Sequence, residues 1–188
     1  MIKNSQRPLN PTLWRTCRVL AGRTRIRLFR ELVANPGCSV SKLADAVCVC
    51  EPDASQELRR LQSRGLLQRR QAGPRVFYRP APDPQVYSAA PLLDALFQCM
   101  TKPAEADEDI LRIAQGGAHN HRISLIRHLL PHPVRTMDLM KQTQLPLSTL
   151  KRHLNKLKEC GWVRRQGRLW EIRPSSHPLA QALLTLIR

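Results

Sequence analysis

Apolar residues in two separate parts of the chain recur at intervals of three and four residues, the spacing of one face of an α-helix. The pattern covers residues 18–34 and again residues 118–130. Pro36 and Pro131 follow these segments, and proline cannot continue a helix interior. Each half of the chain is therefore predicted to begin with an amphipathic helix.

Two further helices are predicted in each half, a short one and then a longer one. They cover residues 39–47 and 52–64 in the first half, and residues 136–143 and 147–160 in the second. Ser39 or Ser41 is the predicted N-cap of the first short helix, because a serine oxygen accepts from the free backbone N–H groups there.

A β-hairpin is predicted after each third helix. Gly65 and Gly161 end these helices, in the position where a left-handed C-cap residue is wanted. The predicted strands are 66–70 and 75–79 around a turn at 72–74, and 162–166 and 169–173 around a turn at Gly167-Arg168. Three helices followed by a hairpin predict a winged helix in each half.

The same residue types recur at a nearly fixed separation, which is the mark of an internal repeat. Leu58, Leu61, Gly65 and Arg69 have counterparts 96 residues later, and Arg25, Ile26, Leu28, Arg30 and Leu32 have counterparts 97 residues later. One residue of loop variation accounts for the difference. The predicted fold class is mainly α with small β-hairpin wings, arranged as two tandem winged helix-turn-helix units.

The repeat predicts domain boundaries. A first winged-helix unit at 12–101 includes the apolar helix Pro91–Phe97, an acidic linker covers 102–110, and a second unit at 111–188 ends in the apolar helix Pro178–Ile187. Such helices commonly cover a domain or pair with another chain. We expect either a monomer that acts as a pseudo-dimer or a homodimer formed through these two helices.

Charge indicates a polyanionic partner. The chain has 31 Lys and Arg against 14 Asp and Glu, a net charge of +17, and the excess is shared by both halves. No apolar run approaches the roughly 20 residues of a membrane span, and Met1–Gln6 lead into no apolar signal segment. We therefore expect a cytoplasmic protein with no membrane partner, whose six cysteines are thiols.

Segments in both halves look like parts of one known family. Arg18–Leu28, Val40–Ala44 and Arg75–Arg79 resemble the opening helix, next helix and returning wing strand of the ArsR-type bacterial winged-helix regulators, and Leu147–Leu154 is similar to their recognition helix. The resemblance implies a repressor that responds to metals or other small signals. Family members usually carry one such unit and dimerise, and this chain departs from that pattern.

The third helix of each unit is the expected reader of double-stranded DNA, because an α-helix fits the major groove. The candidate contacts are Ser148, Thr149, Lys151, Arg152, His153, Asn155 and Lys156 in the second unit, Ser55, Gln56, Arg59 and Arg60 in the first, and Arg168 and Arg75 at the hairpins. The alternative for the charged residues is a solvated surface.

The two third helices differ in charge. The second has Glu159 as its one carboxylate, whereas the first has Glu51, Asp53 and Glu57, which repel phosphates or stabilise the helix start through its dipole. The second unit is therefore expected to be the stronger DNA reader, with the first free to serve in sensing or dimerisation.

Metal binding and catalysis are not expected. Cys48 and Cys50 fall at the turn after the second helix and lack a second pair of metal ligands. The nearest further cysteine that could act as a ligand is Cys38. The histidines at 119, 121, 128 and 132 lie at a helix start and in a proline-rich loop, where exposed or capping roles are the expectation. The chain has no phosphate-cradling loop, metalloprotease motif or nucleophile elbow, so no enzyme and no cofactor are expected.

Two other functions remain open from the residues alone. One is an architectural nucleic-acid binder, whose affinity would depend on salt rather than on sequence. The other is a protein-interaction module built on a winged-helix scaffold.

Overall fold

A computed structural model describes residues 12–73 and 75–188 of the chain. The predicted start at Met1–Gln6 and Pro74 of the first hairpin turn lie outside the described residues. The chain forms two compact units. Unit 1 is Gly22–Ala104 with Thr12, and unit 2 combines Leu13–Ala21 with Glu105–Arg188.

The predicted first helix at 18–34 is wrong in its extent, because this part of the chain forms two helices, α1 (Leu13–Leu20) and α2 (Arg23–Ala34). Gly22 separates them in an extended conformation, with φ −96° and ψ 118°. Its carbonyl accepts from the Ile26 N–H at 3.1 Å, which starts α2 anew. The break lets α1 pack in unit 2 while α2 begins unit 1.

Unit 1 has the order of three helices, a hairpin and a closing helix. After α2 come α3 (Val40–Val47), α4 (Glu51–Gln62), the antiparallel strands β1 (Leu67–Ala72) and β2 (Arg75–Pro80), and α5 (Ala89–Met100). The predicted cap of α3 is Ser39, whose Oγ accepts from the Lys42 N–H at 3.4 Å. The core is formed by apolar side chains of every element, including Phe29, Leu43, Leu58, Tyr78 and Leu96.

Unit 2 repeats this order after two added helices, α1 and α6 (Asp107–Gly117), which pack together. There follow α7 (Asn120–Leu129), β3 (Val134–Arg135), α8 (Thr136–Thr143), α9 (Leu147–Glu159), β4 (Val163–Gln166), β5 (Leu169–Ile172) and α10 (Pro178–Ile187). Its antiparallel sheet has the strand order β3-β5-β4. The described chain is mainly helical with small antiparallel sheets, as a winged helix-turn-helix fold requires.

The acidic stretch predicted as a linker at 102–110 is largely the start of α6. Asp107, Glu108 and Asp109 occupy the first turn of that helix, where negative charge is favourable to the helix dipole. Ile110 and Leu111 directly follow and are buried. The unit boundary therefore falls between Ala104 and Glu105, because the acidic residues begin a packed helix.

The two apolar helices proposed for pairing with another chain pack within their own units. Five positions of α5 from Leu92 to Cys99 are buried, and the rings of Phe97 and Phe29 lie 6.2 Å apart. Leu179, Ala180, Leu183 and Ile187 of α10 are buried in unit 2. These faces cover the cores of their units, and the oligomeric state stays a prediction.

Backbone conformations recur at equivalent positions of the two units. Gly65 and Gly161 have φ values of 75° and 79°, which confirms the predicted left-handed caps after the third helices. Cys48 and Gln144, again 96 residues apart, cap α3 and α8 with φ values of 58° and 55°. The turn between α3 and α4 and the turn between α8 and α9 thus begin with the same uncommon backbone state.

The described residues form no helix that is both long enough and apolar enough to cross a membrane.

The packing of α1 on α6 can be tested at Gly117, where a Cβ atom would lie 2.6 Å from the Cys17 Sγ atom. We expect Gly117→Ala to lower the free energy of unfolding by about 1–3 kcal/mol, because overpacking forces neighbours apart. In a Cys17→Ala background most of this cost should disappear. Urea unfolding followed by tryptophan fluorescence measures it, since Trp14, Trp162 and Trp170 all lie in unit 2. Additive effects of the two substitutions would show that the contact is not made.

Candidate nucleic-acid interface

Helix α9 has one buried and one polar face. Leu150, Leu154 and Leu157 are fully buried and fix the helix on the core of unit 2. The opposite face carries six of the predicted contacts, of which four are exposed and Thr149 and Lys156 are half-buried: Ser148, Thr149, Lys151, Arg152, Asn155 and Lys156. The leucine stripe thus orients hydrogen-bonding and cationic groups toward solvent.

The cations on this face are little neutralised. Lys156 makes an exposed pair with Glu159 at 3.2 Å, a kind of contact that contributes little. Lys151 and Arg152 have no ion-pair partner among residues 12–73 and 75–188. The face therefore presents free positive charge to a polyanion.

His153, also a predicted DNA contact, differs from the other α9 residues, because its side chain is buried beneath α9 rather than exposed on the polar face. It is 4% exposed. Its ring centroid is 4.5 Å from that of His119 and 5.4 Å from that of His121. Position 153 directly precedes the buried Leu154, and the helical spacing turns it toward α7.

The rings of His119, His121 and His153 lie close together at the start of α7. His119 is the N-cap of α7, and its Nδ1 atom accepts from the His121 N–H at 3.1 Å, so this histidine has the capping role expected for it. Burial, followed by the nearby His119 and Arg122, lowers the pKa of His153 to about 4. Burial likewise lowers the pKa of His119, with Arg122 adding to the effect. The rings of His119 and His153 are therefore uncharged at neutral pH.

Sequence reasoning missed Arg122, which lies beside α9. A cleft of about 760 Å³ opens between the start of α7 and α9, lined among others by Arg122, Ser148, Lys151, Arg152, Asn155 and Lys156. The Arg122 Nε atom donates to the Gly116 carbonyl at 2.7 Å, and Nη2 donates to the Gln115 carbonyl at 2.8 Å. Burial lowers the pKa of Arg122. The sequence feature that could have identified Arg122 is its equivalence to Arg25, 97 residues earlier in the repeat.

The hairpin of unit 2 is held on the core by its tryptophans. The indole N–H of Trp162 donates to the Ile113 carbonyl at 2.9 Å, and that of Trp170 donates to the Thr136 hydroxyl at 3.0 Å. Arg168 stands exposed in the turn between β4 and β5. The predicted wing contact is thus placed at the tip of an anchored hairpin.

Unit 1 places its predicted contacts differently. Gln56, Arg59 and Arg60 are exposed on α4 and Ser55 is half-buried, while Arg75 is exposed at the start of β2. Glu57 lies among the α4 residues and accepts hydrogen bonds from Arg60 and, at 2.5 Å, from Arg25. The cations of this face are therefore partly neutralised within unit 1.

The cysteines have structural positions. Cys48 is the left-handed C-cap of α3 and Cys50 is the N-cap of α4, and both are exposed. No group of three His, Cys, Asp or Glu side chains in the described part of the chain has the arrangement of a metal site. Cys17 is fully buried, which raises the pKa of its thiol to about 12 and keeps it protonated.

The stability of unit 2 should fall in mild acid because of His153. The unfolded chain binds a proton at this histidine with a pKa of about 6.5, whereas the folded chain resists protonation down to about 4. Protonation of the unfolded state alone therefore lowers the free energy of unfolding as the pH falls between these values. From pH 7 to pH 4.5 we expect His153 to account for a loss of about 2–3 kcal/mol.

Urea unfolding at the two pH values, followed by tryptophan fluorescence, measures the loss. His153→Gln keeps a neutral polar side chain and should remove this part of the pH dependence. An equal pH dependence in both proteins would show that the ring does not titrate in this way.

One comparison with known proteins bears on this surface. Residues 123–167 match the model of the IclR helix-turn-helix domain, from within α7 to the turn between β4 and β5. Neither the search of curated proteins nor that of solved structures returns a match to the chain. The family match supports a helix-turn-helix DNA-binding domain in unit 2 and a DNA-binding transcription regulator as the general function.

Proposed function

We propose that the protein is a sequence-specific transcription regulator whose unit 2 reads duplex DNA through α9. The observation that carries the proposal is the polar face of α9, where Lys151 and Arg152 are exposed and unpaired among the described residues. Ser148, Thr149 and Asn155 supply hydrogen-bonding groups beside them. Cations that bind phosphate together with side chains that read base edges are what sequence-specific binding requires.

The wing supplies a second contact in this proposal. Arg168 at the hairpin tip would enter the minor groove or bind a phosphate on the flank of the site read by α9. Its turn joins strands that the Trp162 and Trp170 hydrogen bonds hold to the core. A fixed hairpin loses little conformational freedom on binding.

We also propose that units 1 and 2 are tandem winged-helix units. The repeated spacing of 96 residues and the equivalent left-handed caps at Cys48 and Gln144 support a common plan. The resemblance to ArsR-type regulators extends the proposal to repression. In this arrangement each unit is one domain. A single chain then contains two winged-helix units, the number that a dimer of single-unit regulators contains.

A protein-interaction or sensing role for unit 1 is the second candidate, and it is compatible with DNA reading by unit 2. It is favoured by Glu57, which ties Arg25 and Arg60 within unit 1. Glu51 and Asp53, at the exposed start of α4, add negative charge that DNA would repel.

Selection of bound duplexes from a random-sequence DNA library at physiological salt tests the main proposal. We expect an enriched motif, because α9 carries base-reading side chains. Two unlike half-sites about one helical turn, 34 Å, apart would indicate that both units engage DNA. Binding without enrichment would instead indicate a non-specific architectural protein, and no binding would favour a protein-interaction module.

Alanine substitutions should separate the roles of the units. We expect Lys151→Ala with Arg152→Ala to weaken binding to the enriched duplex by at least roughly a hundredfold, since each of the two contacts to a charged group is worth about 1.5–3 kcal/mol. The matched pair Arg59→Ala with Arg60→Ala removes the same charge from α4 and should have a much smaller effect. Fluorescence anisotropy of a labelled duplex measures both, and equal losses would rule out the proposed division.

A further inference from the structure

Equivalent positions of the two units carry the same arginine but different neighbours. Arg25 of α2 and Arg122 of α7 are 97 residues apart, and Glu57 of α4 and His153 of α9 are 96 residues apart. Each arginine lies near the helix that carries the second position. The residue at position 57 in unit 1, or at position 153 in unit 2, therefore determines the charge beside the arginine of that unit.

In unit 1 this arginine is neutralised. The Arg25 Nη1 atom donates to the Glu57 Oε2 atom at 2.5 Å, and both side chains are largely buried, at 15% and 16% exposure. The other carboxylate oxygen of Glu57 accepts from Arg60. One carboxylate thus holds two of the cations that α2 and α4 could offer to phosphate.

In unit 2 the arginine is oriented but not neutralised. Two of the three guanidinium nitrogens of Arg122 donate to backbone carbonyls at the end of α6, and Nη1 has no partner among the described residues. No carboxylate pairs with Arg122 in the part of the chain that the structure describes, and His153 is a buried neutral ring. A partly desolvated cation therefore faces the cleft beside Lys151 and Arg152.

A DNA backbone phosphate is the anion that this arrangement fits. Guanidinium groups form strong charge-assisted hydrogen bonds with phosphate, and a half-buried cation gains more from an anion than a fully hydrated one. The cleft borders α9, so a phosphate bound there would set the position of that helix against the bases. The two carbonyl contacts hold Arg122 in place before DNA arrives.

We propose that Arg122 binds a backbone phosphate of duplex DNA, and that the uncharged side chain at position 153 leaves it available to do so, whereas Glu57 neutralises Arg25 at the equivalent site of unit 1. Glu57 withholds Arg25 in unit 1, and His153 leaves Arg122 available in unit 2. The inference rests on the proposed DNA binding by unit 2.

The first arm of the test changes the charge at position 153 in the full chain. The probe is a duplex enriched by the wild-type protein, and its affinity is measured between about 50 and 200 mM salt. His153→Glu should weaken binding roughly ten- to hundredfold and reduce the magnitude of the salt slope by about 0.9, because Arg122 is now paired. His153→Gln is the uncharged control and should bind as the wild type does.

The second arm acts in unit 1 and does not depend on the folding of His153→Glu. Glu57→Gln removes the carboxylate that pairs with Arg25 and Arg60 and so adds one positive charge to the net charge of unit 1. On a mixed-sequence duplex we therefore expect a salt slope steeper by about 0.9 or more. Asp53→Asn is its matched control, because it removes an exposed carboxylate of the same helix that pairs with no arginine among the described residues. Tryptophan-monitored unfolding confirms that unit 2 is folded in the position-153 variants. Far-UV circular dichroism confirms the helical content of the position-53 and position-57 variants, because unit 1 contains no tryptophan.

The outcomes separate the inference from the function on which it rests. Equal salt slopes for His153→Glu and His153→Gln, both folded, would overturn the inference while wild-type binding upholds the proposed function. If His153→Glu does not fold, a folded Arg122→Gln variant whose salt slope equals that of the wild type would overturn it. Failure of the wild-type chain to bind DNA would overturn both.

Discussion

The leucine stripe of α9 is the constraint on which the site of unit 2 depends. Leu150, Leu154 and Leu157 are completely buried, and burying such side chains contributes about 1.5–3 kcal/mol each. Because these residues fix the rotation of α9 about its axis, every other position on the helix has a determined direction. Lys151 and Arg152 face solvent and His153 faces α7 for the same reason. The packing of the leucines therefore determines which side chains form the polar surface of α9.

Local pattern was sufficient to predict most helices and both hairpins, since helical spacing, proline and glycine act within a few residues. The helix ends at Gly65 and Gly161 and the cap at Ser39 belong to this class. The assignment of α1 to unit 2 does not, because its buried face meets α6 nearly a hundred residues later in the chain. The acidic residues at 107–109 were ambiguous for a related reason. A negative run suits a solvated linker or a helix start, and only the packing of Ile110 and Leu111 distinguishes the two.

The candidate site divides in the same way. The exposure of Lys151 and Arg152 on the polar face of α9 could be predicted from residue type and helix position alone. The burial of His153 and the importance of Arg122 required knowledge of what α7 brings against α9. Histidines occur both on surfaces and in interiors, so the residue type alone did not indicate whether His153 is buried or exposed. The repeat held the missing information, since Arg25 and Arg122 occupy equivalent positions, but its meaning appears only when their different neighbours are seen.

Two units with a shared plan need not share a task, and the electrostatics favour a difference here. A carboxylate at position 57 stabilises unit 1 through a partly buried pair with Arg25, and the same pair removes positive charge from the face that would meet DNA. Unit 2 lacks that pair and instead leaves Arg122 partly desolvated and without a carboxylate partner among the described residues. The buried ring of His153 resists protonation, which costs stability in mild acid. Keeping a cation unpaired beside a polar helix is unfavourable for an isolated protein and favourable once an anion binds. Unit 2 retains this cost and unit 1 relieves it, a difference that an anionic partner for unit 2 alone explains best.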